Sequence, residues 1–273
     1  MIAIVTDSAS MLPDDLRRRY DVSVVPLTIT LDGTEFAEGH GPSNAEFYDR
    51  LAAGATVSTS APSPGAFAER YHDRAQRGAT AMLSIHTGSN YSATVAAATL
   101  AAALIDIDVH IVDTGVASFP VSLCVWAAAA SLAEGATSSG AATAARTTAA
   151  AAGSLFVVGA PDVARRGGRF GAVDGELTPT TVLELAGGTI REHRQTPSLH
   201  DAIELMVDQT RELARRTTIR VGVGHAMRRD AAQHLLDRLT GTPGIHGITR
   251  YEVGPSVGAH TGPGTLGVVY APA

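Results

Sequence analysis

The sequence predicts an α/β fold of two domains, and three observations support that prediction. Apolar runs of strand length alternate with longer helix-like stretches, which is the pattern of βαβ units around a mostly parallel sheet. The chain has 273 residues, of which 45% are hydrophobic, so it can bury two modest cores. The composition changes near Gly153, and we therefore expect an N-terminal domain over residues 1–153 and a C-terminal domain over residues 154–273.

The N-terminal domain begins with a predicted strand at Ile2–Val5, which is apolar throughout. MLPDDLRRRY, residues 11–20, begins a short helix with a proline near its start. A serine that can cap a helix precedes Asn44–Ala52. The remaining elements predicted here are the strands Ser23–Leu31, Thr80–Ile85 and Val109–Val112, and the helices Pro64–Gln76, Ser92–Leu104, Val121–Glu134 and Ser139–Ala152.

The C-terminal domain is predicted to contain more strands than helices. A basic segment rich in glycine, ARRGGRFG at Ala164–Gly171, is predicted as a loop. The predicted strands are 154–159, Gly188–Gln195, Ile219–Val223, Gly247–Val253 and Leu266–Tyr270, and the predicted helices are Leu199–Arg215 and Arg228–Leu239.

Charge and residue usage exclude several functions. The chain carries 21 basic and 27 acidic residues, a formal charge of −6, which repels phosphate backbones, so we expect no nucleic-acid partner. None of the basic residues is lysine, which excludes a Schiff base, a P-loop lysine and a lysine general base. The single cysteine, Cys124, lies in an apolar stretch and is interpreted as a buried residue of a cytoplasmic protein. We expect neither a signal peptide nor a membrane span.

Two motifs with familiar chemistry are weak. GPSVG at Gly254–Gly258 matches the nucleophile elbow G-x-S-x-G, but the AHTGPG that follows is not expected to form the helix that the elbow needs, and no acid follows Ser256. The ten histidines show neither H-x-H nor HExxH spacing. A metal site would have to be assembled from separate segments, and we predict none.

Hydroxyl-rich segments follow several predicted strands, and in parallel sheets ligands gather at the carboxyl ends of strands. Thr6-Asp7-Ser8 follows the first strand, Thr87–Thr94 a later one, and Asp113-Thr114 the next. The stretch at 88–99, GSNYSATVAAAT, places hydroxyls before a predicted helix, where free amides and the helix dipole suit a carboxylate or phosphate. Ordinary helix capping explains this stretch equally well, and a solvated surface loop explains RRGGRFG equally well.

Seven short motifs in order make the chain similar to the DegV family of bacterial fatty-acid-binding proteins. They are IVTDSAS at 4–10, VVPLTI at 24–29, TSAPSP at 59–64, the serine-rich helix entry at 89–94, IVDTGVAS at 111–118, GGRF at 167–170 and GAHTGPGTLGVV at 258–269. The resemblance covers essentially the whole chain. It implies a smaller C-terminal domain with a mixed sheet and a fatty-acid tunnel between the two domains.

The resemblance also implies a carrier that is not itself an enzyme. The resemblance implies that a separate ATP-dependent kinase phosphorylates the bound fatty acid, and transient contact with a membrane surface is compatible with this role. No cofactor, metal or catalytic residue is implied. The residues implied to hold the carboxylate are Thr59, Ser60, Ser92, Ala93 and His260, and those implied to present the head group to the kinase are Arg169 and His260.

The chain departs from the family pattern at three places, and two other functions stay open. The family motif S-G-T is Ser92-Ala93-Thr94 here, a serine pair upstream is replaced by Gly88-Ser89, and Phe119-Pro120 stands where glycines are common. An acyl-transferring or hydrolytic enzyme that uses Ser92 with His260 is the alternative. A regulatory module that senses lipid is a third hypothesis, although no basic helix-turn-helix motif is visible.

Overall fold

The computed structural model describes residues 1–170, 173 and 177–273. Within these residues the chain divides into two compact units. The first unit consists of Met1–Ile29, Phe36–Glu38 and Thr59–Ala150. The second consists of Thr30–Glu35, Gly39–Ser58 and Ala151–Ala273. An early segment around residues 39–58 therefore belongs with the C-terminal part of the chain.

Residues 1–151 contain seven strands and six α-helices, together with a single turn of 3-10 helix at Ser8–Ser10. The strands are β1 (Ile2–Asp7), β2 (Ser23–Val25), β3 (Thr28–Leu31), β4 (Thr34–Ala37), β5 (Val57–Ser60), β6 (Ala81–His86) and β7 (Asp108–Asp113). The helices are α1 (Asp14–Arg19), α2 (Asn44–Ala52), α3 (Pro64–Gln76), α4 (Thr94–Ala102), α5 (Phe119–Ala133) and α6 (Ser138–Ala151).

The described residues beyond position 151 form a second series of elements. The strands are β8 (Gly153–Val157), β9 (Thr181–Ala186), β10 (Thr189–Gln195), β11 (Ile219–His225), β12 (Ile245–Glu252) and β13 (Leu266–Pro272). The helices are α7 (Pro161–Arg166), α8 (Leu199–Arg216), α9 (Arg229–Leu239) and α10 (Pro255–Thr261).

The first unit contains a four-stranded sheet in the order β2, β1, β6, β7, and every pair in it is parallel. The central strands β1 and β6 are buried over nearly their whole length, which is why their sequences are apolar rather than alternating. Helices α3 and α4 pack together against this sheet through Phe67, Tyr71, Ala98 and Ala101. The prediction of a mostly parallel N-terminal sheet is confirmed.

The second unit contains a six-stranded mixed sheet in the order β10, β9, β8, β13, β11, β12. Only β11 and β12 are parallel, and the other four pairs are antiparallel. Helices α8 and α9 supply the apolar side chains Ile203, Met206 and Leu235 to the core beside it. The mixed C-terminal sheet implied by the family resemblance is therefore present.

The predicted single strand at Ser23–Leu31 is wrong, because the segment forms two strands that belong to different sheets. Strand β2 ends at Val25, and β3 begins at Thr28 and lies in a three-stranded sheet in the order β4, β3, β5. Pro26 stands between them, and a proline has no N–H for a sheet hydrogen bond. The short strands β4, β5 and β9 were not predicted.

Two predicted loops contain helices. Helix α7 occupies the start of the basic glycine segment, where Pro161 stands in its first turn and Gly167 ends it. Gly171, the last residue of that predicted loop, lies outside the described residues. Helix α10 follows Gly254 directly, although the sequence indicated that these residues would not form a helix. In the described part of the chain, no helix has the length and apolar character that a membrane span requires.

Candidate functional site: two groups of predicted ligand residues

The carboxyl edge of the parallel sheet collects the hydroxyl-rich segments. Strands β1, β6 and β7 are adjacent and parallel, so their last residues lie at one edge. His86 at the end of β6 lies opposite Asp113 at the end of β7 in the register of the sheet. The carboxylate of Asp113 then accepts hydrogen bonds from the amides of Ser89 and Gly115, which ties the two following loops together.

A polar network lies buried beneath this edge. The Asp7 carboxylate accepts hydrogen bonds from the amide and the hydroxyl of Thr87, both at 3.0 Å, and lies 3.1 Å from Nδ1 of His86. Nε2 of His86 lies 2.6 Å from Oγ of Ser84, which in turn lies 2.7 Å from the hydroxyl of Tyr71. The network fixes the residue that begins the loop after β6, because two of its bonds go to Thr87.

Ser84, His86 and Asp7 have the connectivity of a Ser–His–Asp triad but lack its access to substrate. All three side chains are 0% exposed, so a substrate carbonyl has no route to the Ser84 hydroxyl in this structure. The motifs in the sequence did not predict this network. A serine and a histidine inside the strand sequence AMLSIH, which is buried on both faces, were the signal that could have revealed it.

Helices α3 and α4 both begin at the carboxyl edge of the parallel sheet. Helix α3 leads into β6 and α4 leaves it, so both helices run antiparallel to that strand. Their free amides and positive dipole ends therefore point to the same edge. Ser63 caps α3 by accepting a hydrogen bond from the amide of Ala66. Phe67 in the first turns of α3 packs edge-on against the ring of His86 at 5.0 Å.

The four predicted carboxylate ligands of the first unit stand immediately before these two helices. Thr59 is half-buried and Ser60 is exposed at the end of β5, ahead of α3. Ser92 is half-buried and Ala93 exposed, ahead of α4. The Ser92 hydroxyl lies 2.7 Å from that of Thr94 and accepts a hydrogen bond from the Thr94 amide. Helix α4 therefore begins at Thr94, two residues later than predicted.

The structure explains two of the departures from the family pattern. Ala93 has φ −75° and ψ 7°, an ordinary conformation for any residue, so its methyl group causes no backbone strain. A Cβ at Gly88 would lie 2.6 Å from the Cα of Gly115, so the backbones of the two loops meet there. Glycine at position 88 permits that approach, and a serine would require the loops to move apart.

The third departure, Phe119-Pro120, forms the start of helix α5. Pro120 occupies the first turn, where backbone N–H groups make no hydrogen bond within the helix, so the N–H that proline lacks is not needed. Phe119 is fully buried. Ser118 just before the helix has φ 65° and ψ −150°, a conformation that is almost restricted to glycine. The helix therefore begins two residues earlier than predicted, and it begins with a strained residue.

In the second unit, the other two predicted residues meet at one carbonyl group. His260 lies in helix α10, and its Nδ1 is 3.0 Å from the carbonyl oxygen of Gly167 at the end of α7. Nη1 of Arg169 donates to the same oxygen at 3.2 Å. Since a carbonyl only accepts hydrogen bonds, Nδ1 of His260 carries the proton. Residues 93 positions apart in the chain are thus brought together.

Glycines allow this close packing in the second unit. A Cβ at Gly167 would lie 2.8 Å from Nδ1 and 2.9 Å from Cα of His260. Both distances are shorter than the contacts that Cβ atoms make in proteins. A Cβ at Gly258 would lie 2.2 Å from the hydroxyl of Tyr48, which donates to the carbonyl of Val253. Gly167 of the GGRF motif and Gly258 of the terminal motif therefore hold helix α10 and its histidine in place, because each lets the backbone approach a neighbouring side chain directly.

The environment of His260 favours its neutral form. Burial lowers the pKa of His260 below its usual value, the neighbouring Arg169 guanidinium lowers it further, and the hydrogen bond with Gly167 raises it by a smaller amount. A neutral ring that donates from Nδ1 presents Nε2 as an acceptor. Arg169 itself is exposed, and it adds positive charge beside the exposed Arg165 and Arg166 at the end of α7.

Comparison with known proteins decides the family. The model of the DegV family, described as that of an uncharacterised protein, matches residues 1–273. The chain belongs to the DegV family. A DegV domain-containing protein of Streptomyces coelicolor is 36% identical over 273 residues, which covers 98% of this chain and 97% of that protein.

Solved DegV structures share the fold. A DegV family protein of Thermus thermophilus, described for its fatty acid binding, has a TM-score of 0.91 and 31% identity, and covers 100% of this chain and 99% of its own. A Thermotoga maritima protein, described as revealing a fatty acid binding function, has a TM-score of 0.87 and 25% identity, with 100% and 99% covered. These DegV proteins are fatty-acid-binding proteins, and this chain has their α/β architecture.

Proposed function

We propose that this protein binds one long-chain fatty acid without covalent attachment and presents it to a separate ATP-dependent kinase in the cytoplasm. The hydroxyls of Thr59, Ser60 and Ser92 and the amide of Ala93 hold the carboxylate, together with His260. The tail occupies the apolar tunnel that the family resemblance implies.

The observation that carries this proposal is the placement of Thr59-Ser60 and Ser92-Ala93 before two helices that begin at one sheet edge. Free amides, helix dipoles and hydroxyls there all favour an anion. A carboxylate buried without such donors would be unfavourable by several kcal/mol. Fatty acid binding is described for the Thermus and Thermotoga relatives, which supports a fatty acid as the anion that binds here.

The tail determines the strength of binding. Each buried methylene group contributes about 0.8 kcal/mol, so affinity rises steeply with chain length until the tunnel is full. The carboxylate contacts then determine orientation more than affinity. A fatty acid therefore binds far more tightly than acetate, and a long chain more tightly than a short one.

Arg169 and His260 are proposed to act on the head group after binding. The Arg169 guanidinium can pair with an anionic head group. Phosphorylation of the carboxylate would increase the negative charge of the head group and so strengthen this pairing. His260 next to it is held neutral and oriented by Gly167. Their shared carbonyl partner supports a common role in presenting the acyl head to the kinase.

Native mass spectrometry of the purified protein tests the binding proposal. We expect one non-covalent fatty acid per chain, identified after denaturing extraction. The double variant Thr59→Val/Ser92→Ala should retain less lipid, whereas Ser139→Ala, an exposed serine of α6, should retain as much as the wild type. A protein that is empty and takes up neither palmitate nor oleate would overturn the proposal.

The enzyme alternative and the kinase role are tested separately. Incubation with p-nitrophenyl esters followed by intact-mass analysis should show no acyl adduct on Ser92, and a stable adduct there would establish the alternative. With a DegV-partner kinase and ATP, Arg169→Ala and His260→Ala should bind lipid but yield less acyl-phosphate than Arg194→Ala and His246→Ala, which change exposed residues. Equal yields from all four variants would contradict the presentation role.

A further inference from the structure

A cluster of metal-binding side chains lies on the packed helix pair α8 and α9 of the second unit. His200 and Glu204 on α8 and His234 on α9 each offer one ligand atom, and these three atoms all lie within 4.8 Å of one another. None of these residues belongs to the proposed lipid site. The cluster is assembled from segments about thirty residues apart, which is why no sequence spacing revealed it.

Helix geometry explains the cluster. His200 and Glu204 are four residues apart, so they lie one turn apart on the same face of α8. His234 on α9 faces them, and its ring centroid is 6.5 Å from that of His200. The two histidines are exposed and Glu204 is half-buried, so an ion can reach the cluster from solvent without opening the core.

The ligand types select a class of ion. Two imidazoles and one carboxylate, with a fourth position left for water, form a ligand set that zinc uses in proteins. Imidazole nitrogen also favours copper and nickel over calcium and magnesium, which prefer all-oxygen sites. Zinc bonds of about 2.0–2.2 Å would place the ligand atoms about 3.3 Å apart, and rotation of the two exposed histidine side chains can provide that spacing.

Arg238 is the charged neighbour that this site must accommodate. Its Nη1 donates to Oε1 of Glu204, and Arg238 lies one turn after His234 on α9. The guanidinium opposes a dication by charge, but its bond to Oε1 holds the carboxylate in one orientation. Metal-ligating carboxylates are commonly held by such a second hydrogen bond.

We propose that His200, Glu204 and His234 form a binding site for a divalent transition metal such as Zn²⁺, which links helix α8 to helix α9. Arg238 positions the carboxylate of Glu204 and does not contact the ion. The site is independent of fatty-acid binding. Because the ion binds the folded helix pair, it stabilises the folded state by an amount that rises with the logarithm of the ion concentration above the dissociation constant.

Titration of the chelator-treated full-length protein with Zn²⁺, in competition with a chromophoric chelator, tests this site. We expect one equivalent of Zn²⁺ to bind. His200→Asn and His234→Asn should each raise the dissociation constant on the order of tenfold or more. His246→Asn removes an exposed histidine of β12 and should leave the constant unchanged. Zn²⁺ should also raise the melting temperature of the wild type and of His246→Asn, but not of His234→Asn.

Two results would overturn the proposal. One is a wild type that binds no Zn²⁺ at millimolar concentration. The other is a set of three histidine variants that bind Zn²⁺ equally well, because binding would then be scattered over surface histidines. Either result leaves the fatty-acid proposal untouched, since that is read out by lipid extraction.

Discussion

The two groups of predicted ligand residues are positioned by opposite means. In the first unit, buried polar side chains hold the loop before α4 through Asp7 and Thr87. In the second unit, glycines hold His260 by letting the backbone approach it directly, as at Gly167. The first group is therefore sensitive to the loss of a polar partner, and the second to the gain of a methyl group.

The largest effect that the comparison predicts comes from Asp7→Ala. The substitution leaves the amide and hydroxyl of Thr87 and Nδ1 of His86 without their buried acceptor. We expect the free energy of unfolding to fall by about 3–5 kcal/mol in urea denaturation. Asp106→Ala, at an exposed loop residue, should change it by less than about 0.5 kcal/mol. Similar values for the two variants would show that the network contributes little.

Gly167→Ala tests the opposite mechanism in the second unit. The added Cβ would press on Nδ1 and Cα of His260, so we expect the unfolding free energy to fall by about 1–3 kcal/mol. Acyl-phosphate formation should fall with it. Gly140→Ala in helix α6 is the matched control, where contacts begin only at 3.4 Å. The Gly140→Ala variant should gain about 0.5–1 kcal/mol in free energy of unfolding. A Gly167→Ala protein as stable as the wild type would refute the role of close packing.

Ser118→Gly tests backbone strain in the first unit, which contains the strained residue Ser118 as well as the buried polar network. The positive φ of Ser118 costs about 1–3 kcal/mol. Glycine removes this strain, but it also loses more backbone conformational entropy on folding, which offsets part of the gain. We expect a net gain of about 1 kcal/mol in unfolding free energy. Ser131→Gly, inside helix α5, should instead lose about 0.5 kcal/mol. A loss in both variants would mean that Ser118 makes a contact that outweighs its strain.

The smallest predicted effect concerns pH and the second unit. Folding lowers the pKa of His260, chiefly by burial, while an unfolded histidine titrates near 6.5. Between the two values the unfolded state binds more protons, so the stability of the lipid-free protein rises with pH. The contribution is present above pH 6.5 and is lost as the pH falls through the folded value. Burial lowers the pKa of His225 also, and it acts in the same direction.

Urea denaturation between pH 8 and pH 5 measures this dependence. His260→Gln should flatten the decrease in stability on acidification, although not abolish it, because His225 remains. His246→Gln, which changes an exposed histidine, should follow the wild-type curve. If His260→Gln and the wild type lost stability in parallel, burial of the His260 ring would not be the cause.

Much of the fold could be predicted because local signals and tertiary structure agree. The bounds of α2 and α3 were predicted to the residue, since Ser43 and Ser63 cap them. The parallel sheet followed from apolar strands alternating with helices. Pro26 misled the prediction of β2 and β3, because the apolar pattern continues across it while the hydrogen bonding does not.

The site could be predicted only in part. Its residues came from the family resemblance, and the placement of Thr59-Ser60 and Ser92-Ala93 before two helices is a property of the fold. Helix α10 was missed because glycine and proline suggested a loop, whereas Gly258 permits contact with Tyr48. The partnership of His86 with Asp7 depends on strands 79 positions apart, which no local pattern encodes.

The most direct test compares the affinities of palmitate and methyl palmitate by displacement of a fluorescent fatty acid. The two ligands share a tail, so the ratio of their affinities isolates the carboxylate. We predict that the wild type and Ser139→Ala prefer palmitate by about tenfold or more, a difference of about 1.4 kcal/mol, and that Thr59→Val/Ser92→Ala loses most of this preference. A preference that survives in the double variant would contradict the account, because the carboxylate would then be held elsewhere.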